Sequence, residues 1–299
     1  MKNYLLKILL FFAIVALVDT GVGLLGDYLQ AHAKSGDTKR TNDLVANDTH
    51  DVLILGSSRA YHHYDTRLLS DTLGLDVYNA GYDGNGVILA TGLLEMVLER
   101  YQPKLVIYDV EPVFDINVYN ADNHNIRYIS RLKPYYHNPA IGSIIRAVSK
   151  EEWYKSHSGM IRYNTSIVQM LKENISECKE EYCGYAPMYG EYSGELLESN
   201  EHLEIDSLKL SYLEKLIELA HAREVPIIFV ASPKYVKAVS DVLMPVKEIC
   251  NRHNVVFLDY YVDSAFIRHK EWFKEPMHLN AVGARAFSQV IAKKILQLR

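Results

Sequence analysis

From residue 51 onward, short apolar runs alternate with amphipathic stretches, and this alternation constrains the fold more than any other feature of the chain. The first run reads Asp51-Val52-Leu53-Ile54-Leu55, which is the pattern of a strand buried on both faces. Further strands are predicted at 76–78, 105–108, 225–231 and 255–258, and helices at 64–73, 87–101, 208–223, 236–253 and 281–298. Strands that alternate with helices form a parallel sheet covered on both sides. We therefore predict an α/β protein with a three-layer parallel sheet sandwiched by helices.

The composition is that of a globular protein that does not bind nucleic acid. Of the 299 residues, 48% are hydrophobic and 23% are charged, the balance of a chain that can bury a core. The net charge of -5 provides no positive field, so no nucleic-acid partner is expected. Three cysteines are too few for a fold built on disulfides.

The first 33 residues contain the longest apolar segment. The stretch Leu5–Leu25 is close to the roughly 20 residues that a membrane-spanning helix needs. Asp19 interrupts it, but a carboxylate near one end of a span can reach the interface. Lys2 and Lys7 precede the segment, which predicts a cytoplasmic N-terminus and a domain outside the cytoplasm, either periplasmic or extracellular. The alternatives are a signal peptide cleaved near Ala31-His32-Ala33, which would release a secreted protein, and a buried core helix. The distance of that tripeptide from the apolar run favours an uncleaved anchor.

The rest of the chain is predicted to comprise a tether and an α/β domain that carries an insertion. Residues 34–49 are polar and lack periodic apolar positions, which indicates a tether. Residues 50–299 form the α/β domain, whose rhythm of strands and helices breaks at about 114–205. That segment holds ten of the 22 tyrosines, and we expect an insertion or lid on the core rather than a separately folding domain. Tyrosine suits glycan stacking and ordinary packing alike, so its role is left open.

Neither the cysteines nor the acidic residues give a metal-binding pattern, and no metal or other cofactor is predicted. Cys178 and Cys183 lie five residues apart in a polar stretch, which in an exported protein is compatible with a small-loop disulfide. Cys250 would then be an unpaired, buried thiol. No Cys/His spacing resembles a zinc site. A solvated rim is expected of the acidic residues near the strand ends, Asp83, Asp109, Glu111 and Asp115.

Three stretches place reactive residue types at strand ends or before helices. Gly56-Ser57-Ser58-Arg59 follows the first strand, where backbone N–H groups converge at the start of a helix. The second, 79–86, contains three glycines, which allow close backbone approach. In the third, Glu275 precedes His278 by three residues, so that the carboxylate can orient the ring and the ring can take a proton from a serine. Taken singly, each stretch also fits a helix cap, a flexible turn or a surface histidine.

Together these stretches resemble the sequence blocks of the SGNH (GDSL-like) hydrolase superfamily. Its Gly-Asp-Ser block corresponds to 56–58, which aligns Ser58 with the nucleophile. Its second block, an Asn followed five residues later by a Gly whose N–H helps to bind the oxyanion, corresponds to Asn79 and Gly84. Its last block, Asp-x-x-His followed by Leu-Asn-x-x-Gly, corresponds to 275–283 with Glu275 in place of Asp. The Gly-Ser-Ser-Arg run and the N-terminal anchor are similar to the membrane-anchored branch that acts on the cell envelope.

The chain departs from the family pattern at two places. The family has an Asn after its third strand, whereas this chain continues Asp109-Val110-Glu111-Pro112, so that the third oxyanion donor is unassigned. An anionic Glu111 near the oxyanion would oppose catalysis unless it points away or handles a polar acceptor. The second departure is Glu275, which is one methylene longer than Asp, although other serine hydrolases accept Glu as the orienting acid.

The side chains of Arg59, Asn79 and Glu111 are further candidates for oxyanion or substrate binding. Arg59 starts a predicted helix, where the helix dipole disfavours a cation. A cation placed against that preference either binds a carboxylate or phosphate of a ligand or forms an ion pair within the protein. We favour the ion pair, with Asp51, Asp83 or Glu111 as the partner.

The resemblance implies a Ser-His-Glu triad of Ser58, His278 and Glu275, with the N–H groups of Ser58 and Gly84 facing the oxyanion. The expected function is that of a serine esterase or O-acyltransferase acting on an acyl ester of cell-envelope glycan or a similar exported substrate. The alternative is a catalytically silent accessory or binding protein of an envelope acylation system, built on the same fold. In both cases the expected partners are the membrane, through the N-terminal helix, and other proteins of envelope acylation.

Overall fold

A computed structural model of the protein describes residues 2–118, 125–164, 166–176, 184–198, 204–237 and 241–298. Its α/β unit contains a five-stranded parallel sheet with the strand order β2-β1-β3-β4-β5. The strands are β1 (Val52–Gly56), β2 (Val77–Gly81), β3 (Leu105–Asp109), β4 (Ile227–Ala231) and β5 (Val256–Asp259). The predicted fold class, a parallel sheet flanked by helices, is confirmed. The order reverses between β1 and β3, and such a switch point is where open α/β sheets bind ligands.

The helices and one short hairpin account for most of the remaining described chain. The hairpin pairs β6 (Phe273–Glu275) with β7 (His278–Leu279). The helices are α1 (Lys2–Ala31), α2 (Gly36–Asn42), α3 (Ser58–His63), α4 (Thr66–Leu73), α5 (Val87–Leu98), α6 (Pro112–Asp115), α7 (Asn125–Ile129), α8 (Pro139–Val148), α9 (Lys150–Lys155), α10 (Gly159–Tyr163), α11 (Ile167–Ile175), α12 (Ser207–Ala222), α13 (Met244–Arg252), α14 (Ser264–Ile267) and α15 (Ala281–Leu298).

Alternate residues of the strands point to opposite faces of the sheet, and helices cover both faces. Val52 and Ile54 of β1 pack in one hydrophobic cluster with Phe287 and Ile291 of α15. Leu53, which lies between them, is also fully buried but is outside that cluster. Burial on both faces explains why the strands are continuous apolar runs in the sequence.

The segment 114–205 is not the single insertion on the core that its composition predicts. The chain divides into two compact units, one formed by 1–43 with 129–179 and the other by 44–128 with 180–299. Residues 129–179 therefore pack with the N-terminal helix, through an apolar cluster of Leu29, Tyr163 and Met170. The remainder of the segment belongs to the α/β unit.

The N-terminal helix is longer than the predicted apolar segment, and the stretch that follows it is helical. Helix α1 is the only helix among the described residues that is long and apolar enough to cross a membrane. Helix α2 and a π-helix at 43–47 occupy the stretch expected to be a tether. Ion pairs between Lys39 and Asp43 and between Arg40 and Asp37 lie one turn apart and stabilise this helical stretch locally.

Two helices begin later than the sequence predicts. The helix expected at 64–73 begins only at Thr66, because the Asp65 side chain caps α4 by accepting a hydrogen bond from the Leu68 N–H (3.1 Å). The helix expected at 236–253 is α13, which has a proline in its first turn. Cys250 in α13 is the predicted free and buried thiol, whereas Cys178 and Cys183 lie outside the described residues.

Gly56, the last residue of β1, has a backbone conformation and a contact that exclude any side chain. Its φ of 146° lies in the region that favours glycine. A Cβ at this position would lie 2.6 Å from the carbonyl oxygen of Asp109, its partner in the β1–β3 register. The chain can therefore leave β1 beside β3 only with glycine at position 56.

We expect Gly56→Ala to lower the free energy of unfolding by about 2–4 kcal/mol, because backbone strain and a clash with β3 add together. Urea unfolding of the full chain in detergent, followed by circular dichroism, measures this loss. Gly74→Ala is the matched control, since Gly74 also has positive φ (64°) but no atom within 4 Å of an added Cβ. The control should lose about 1 kcal/mol, and an equal loss in both variants would contradict the proposed clash.

Candidate active site

Ser58 lies at the carboxyl end of β1, as the first residue of α3. The Ser57 side chain caps the helix by accepting a hydrogen bond from the Arg59 N–H (3.3 Å). Ser57 is fully buried, whereas Ser58 is half-buried. Of the two adjacent serines, Ser57 is therefore buried in the protein interior, and Ser58 is partly accessible at the carboxyl edge of the sheet.

The β6–β7 hairpin presents His278 to Ser58. Glu275 and His278 face each other in the register of the two strands. The Ser58 hydroxyl donates to Nε2 of His278 at 2.7 Å, and Nδ1 of the same ring bonds to Oε1 of Glu275. With the serine proton directed at Nε2, the ring proton is on Nδ1 and is donated to the carboxylate. The structure thus links hydroxyl, imidazole and carboxylate in one chain of hydrogen bonds, the arrangement that activates a serine nucleophile.

Glu275 is held in its ionised form. Burial raises the pKa of Glu275, but hydrogen bonds from His278 and from the Met277 N–H (3.0 Å to Oε2) outweigh this and lower the pKa below its ordinary value. Both carboxylate oxygens therefore have a donor. The extra methylene of Glu relative to Asp is accommodated because the carboxylate and ring lie opposite each other across the hairpin.

Gly84, in the loop after β2, and Asn79, within β2, are placed differently. Gly84 has a φ of 62°, and no described residue accepts a hydrogen bond from its N–H or from that of Ser58. The loop is joined to α3 by a bond from Nε2 of His62 to Asp83 (3.1 Å). Asn79 is fully buried, where its side chain donates to the Ala60 carbonyl (2.6 Å) and accepts from the Gly81 N–H (2.9 Å). Asn79 thus supports the backbone behind the serine, and its role as a substrate ligand stays a prediction.

Arg127, which the sequence did not single out, lies against Gly84. A Cβ built on Gly84 would be 2.1 Å from Nη2 of Arg127. The guanidinium also lies over the rings of Phe114 and Tyr128, at 6.0 and 5.8 Å from their centroids. An exposed cation therefore lies beside one of the two candidate oxyanion donors.

Arg59 forms a buried ion pair with Glu111. Nη1 of Arg59 donates to Oε2 of Glu111 at 2.7 Å, and both side chains are almost wholly buried. Burial raises the pKa of Glu111, but the charges of Arg59 and Lys234 outweigh it and keep the pKa below its ordinary value. The negative charge that would oppose an oxyanion is thus neutralised by Arg59. Binding of substrate by either residue stays a prediction.

A buried hydrogen-bond network links α3, the ends of β3 and β4, and the hairpin. The Ser232 hydroxyl accepts from Nε of Arg59 (3.1 Å) and from Nδ1 of His63 (2.9 Å), and donates to Asp109 (3.1 Å). Nε2 of His63 accepts from the N–H of Leu279 at 3.0 Å. These roles are consistent only with a neutral His63 that carries its proton on Nδ1. His63 therefore anchors the hairpin at the residue next to His278.

Sequence reasoning missed His63 and Ser232, although one signal pointed to Ser232. This residue directly follows β4, and polar side chains at the carboxyl ends of parallel strands gather at one sheet edge. His63 carried no such signal, because a histidine near the end of a short helix is common at protein surfaces. Its burial results from tertiary packing alone.

The acidic residues near the strand ends do not form the solvated rim that was expected. Asp109, Glu111 and Asp115 are buried, and only Asp83 is exposed. Burial raises the pKa of Asp109 to about 6, against the opposing effects of Arg59 and of hydrogen bonds from Tyr64 and Ser232. The expectation failed because it took charge as a sign of exposure, whereas each buried carboxylate here has donors.

We expect His63 to make the stability of the fold depend on pH. Burial and the charge of Arg59 lower the pKa of His63 well below its ordinary 6.5. Below pH 6.5 this histidine binds a proton in the unfolded chain but not in the folded chain. The free energy of unfolding therefore decreases as the pH falls. Between pH 7.5 and 5.5 this contribution amounts to about 1.4 kcal/mol.

Urea unfolding at both pH values measures the loss in the wild type and in His63→Gln. The glutamine variant lacks the titrating group, so its stability should change less on acidification by that amount. His137→Gln is the control, because His137 is exposed, and it should keep the full wild-type loss. Equal acid sensitivity of wild type and His63→Gln would contradict a buried, neutral His63.

Comparisons with known proteins identify no family for this chain. No protein-family model matches it, and no curated protein matches its sequence. Among solved structures it is similar to a gut microbial diltiazem-metabolizing enzyme, with 10% sequence identity and a TM-score of 0.39. The match covers 82% of this chain and 46% of that one, so the chain spans about half the length of its structural neighbour.

Proposed function

We propose that the protein is a serine esterase or O-acyltransferase that acts through Ser58, His278 and Glu275. The observation that carries this proposal is the 2.7 Å hydrogen bond from the Ser58 hydroxyl to Nε2 of His278, continued through Nδ1 to the ionised Glu275. A serine at the start of a helix, an imidazole within hydrogen-bond distance of it and a carboxylate behind the ring form the constellation required for acyl transfer.

In the acylation half-reaction, Ser58 Oγ attacks the carbonyl carbon of the ester while its proton moves to Nε2 of His278. Glu275 stabilises the imidazolium that forms and holds the ring in the useful tautomer. The tetrahedral oxyanion is bound by the N–H groups of Ser58 and Gly84, which have no other acceptor among the described residues. Such donors each contribute about 3 kcal/mol of transition-state stabilisation in serine hydrolases.

Collapse of the tetrahedral intermediate breaks the ester C–O bond and leaves the acyl group on Ser58. His278 gives its proton to the departing alkoxide, which leaves as an alcohol. His278 then takes a proton from water or from an acceptor hydroxyl, whose oxygen attacks the acyl-serine. Water completes hydrolysis, and a sugar hydroxyl completes acyl transfer, with the serine proton returned from His278 in both cases.

The SGNH superfamily is the family that this proposal favours. The first and last of its sequence blocks contribute the hydrogen-bonded residues Ser58, His278 and Glu275. The second block, with Gly84, is held to the helix of Ser58 by the His62–Asp83 bond and by the bond from Asn79 to the Ala60 carbonyl. After β3, where the family has an Asn, this chain has Glu111, which is paired with the buried Arg59.

The alternative of a catalytically silent accessory protein would be favoured if the serine could not reach its histidine. Ser58 and His278 are instead within hydrogen-bond distance. A binding protein has no need for an ionised carboxylate behind a histidine that accepts from a serine, so this geometry favours the enzyme.

The proposed location of the enzyme is the outer side of a membrane, with α1 as an uncleaved anchor. Support comes from Lys7 before the apolar stretch and from the length of α1. The last part of α1 also packs through Leu29 with Tyr163 and Met170, contacts that cleavage after Ala33 would remove. The proposed substrate is an acyl ester of cell-envelope glycan or a similar exported molecule.

We expect Ser58→Ala to reduce hydrolysis of an acetyl ester such as p-nitrophenyl acetate by about 10⁴-fold or more, because the nucleophile is lost. The full chain in detergent is assayed for turnover and for covalent labelling by a fluorophosphonate probe. Ser57→Ala is the matched control, since Ser57 is buried and caps α3 without touching His278. Labelling should persist in the control and vanish in Ser58→Ala, and equal turnover of wild type and Ser58→Ala would remove the enzyme proposal.

We expect Glu275→Gln to lower kcat by about 10²–10⁴-fold with little change in KM, because the imidazolium loses its stabilising charge only in the transition state. The steady-state kinetics of p-nitrophenyl acetate hydrolysis provide the measurement. Glu271→Gln is the control, because Glu271 also bonds to a histidine, His269 (2.8 Å), at an exposed position. A comparable loss in both variants would indicate a general charge effect and contradict the assignment of Glu275.

A further inference from the structure

The carboxylate of Asp19, inside the apolar helix α1, is satisfied by the beginning of α10. It accepts hydrogen bonds from the Ser158 hydroxyl (2.6 Å) and from the N–H groups of Met160 (2.9 Å) and Gly159 (3.2 Å). A carboxylate within a membrane-spanning segment is costly unless protein groups pair with it. Here all three donors come from the beginning of a neighbouring helix of the same unit. Helix α10 therefore packs beside α1 at the position of Asp19.

Small residues allow α1 and α10 to approach closely. A Cβ on Gly159 would lie 2.4 Å from the Cα of Gly23, and one on Gly26 would penetrate the ring of Tyr163. A turn further on, Asp27 accepts from the Tyr163 hydroxyl (2.6 Å). Close backbone contact between small residues is the usual packing of helices within membranes. The contact extends to α11, where the Asn174 side chain donates to the carbonyl of Leu29 (2.8 Å).

The dimensions of a bilayer place this contact at the edge of its hydrocarbon region. From Asn3 to Asp19, α1 rises about 24 Å at about 1.5 Å per residue, less than the roughly 30 Å of a hydrocarbon core. The apolar exposed face of α1 continues beyond Asp19 through Leu24 and Leu25, which are 67% and 47% exposed. Helix α10 therefore contacts α1 near the edge of the hydrocarbon core.

The outward face of α10 and α11 is apolar and exposed. Val168, Leu171 and Ile175 of α11 follow one another at helical spacing and are 61%, 41% and 82% exposed. Met160 and Ile161 of α10 are exposed as well. Lys172, also exposed on α11, has a side chain long enough to reach lipid headgroups from such a position. Exposed apolar side chains that share one face of a helix in this way mark an interaction surface.

We propose that α10 and α11 lie in the membrane interface beside α1, with Val168, Leu171 and Ile175 inserted among the lipid acyl chains. This inference rests on the proposed retention of α1 as a membrane anchor. We assign the lipid bilayer as the binding partner of this apolar face because the face belongs to the same compact unit as α1. Its helices are also bonded to α1 at Asp19, near the edge of the hydrocarbon core. The protein thus holds the membrane by an anchor and by an amphipathic helix that fixes the orientation of this unit.

The test uses the full chain, reconstituted alone in vesicles of phosphatidylcholine and phosphatidylglycerol, with a bimane label on a single introduced cysteine. The background carries Cys178→Ser and Cys183→Ser. Cys250 is fully buried and burial raises the pKa of its thiol to about 12, so we expect the label not to modify it. Val168→Cys and Ile175→Cys report on α11. Val282→Cys is the matched control on α15, because Val282 is 62% exposed and lies beside the charged Arg285.

Doxyl-labelled lipid should quench the labels at positions 168 and 175 at least about twice as strongly as the label at 282, and soluble iodide should quench them less. Equal quenching at 168, 175 and 282 would overturn the proposal. Because the vesicles contain no other protein, a face that binds a protein partner instead of lipid would also give this result. A label introduced by Leu10→Cys distinguishes the two failures. Quenching at 10 without quenching at 168 rejects only the interfacial helix, whereas no quenching at 10 rejects the anchor itself. The readout is independent of ester hydrolysis, so the enzyme proposal stands or falls separately.

Discussion

One buried hydroxyl, that of Ser232, holds together the parts of the fold that carry the candidate active site. It receives hydrogen bonds from Arg59 and His63 of α3 and donates to Asp109 at the end of β3. Since burial of unpaired polar groups costs several kcal/mol, these groups must stay together for the sheet edge to fold. The helix that begins with Ser58 is thereby fastened to β3 and β4 before any substrate is present.

The same network reaches the histidine of the site by a single further bond. His63 accepts from the N–H of Leu279, the residue after His278, and so fixes the hairpin on which that ring is mounted. Because burial and the charge of Arg59 lower the pKa of His63, its ring stays neutral and its Nε2 accepts the hydrogen bond from Leu279. A serine nucleophile needs its base held to within a fraction of an ångström, and a buried scaffold of this kind provides that constraint.

The ion pair of Arg59 and Glu111 lies where the sequence departs from the pattern of the family that it resembles. A carboxylate after the third strand would disturb an oxyanion by its charge, but this one is paired at 2.7 Å with a cation that is itself buried. Arg59 sits at the start of a helix against the preference of the dipole, and the contacts to Glu111 and Ser232 compensate for that placement. The charge of Glu111 is thus paired within the protein, and Arg127 is an exposed cation near Gly84.

The sequence by itself determined the parallel α/β sheet, because buried strands must be short apolar runs and their helices must be amphipathic between them. It also singled out Ser58, Glu275 and His278, because the three stretches that contain them together resemble the sequence blocks of the SGNH superfamily. The extent of α4 and α13 was misjudged, because a cap at Asp65 and a proline at 245 act within a few residues and outweigh periodicity. The sequence did not reveal that 129–179 packs with α1, nor that His63, Ser232 and Asp109 are buried together. Those facts depend on contacts between residues more than a hundred positions apart, and only the tertiary structure determines such contacts. A local sequence pattern shows which residues are apolar, but it does not show which distant surfaces they pack against.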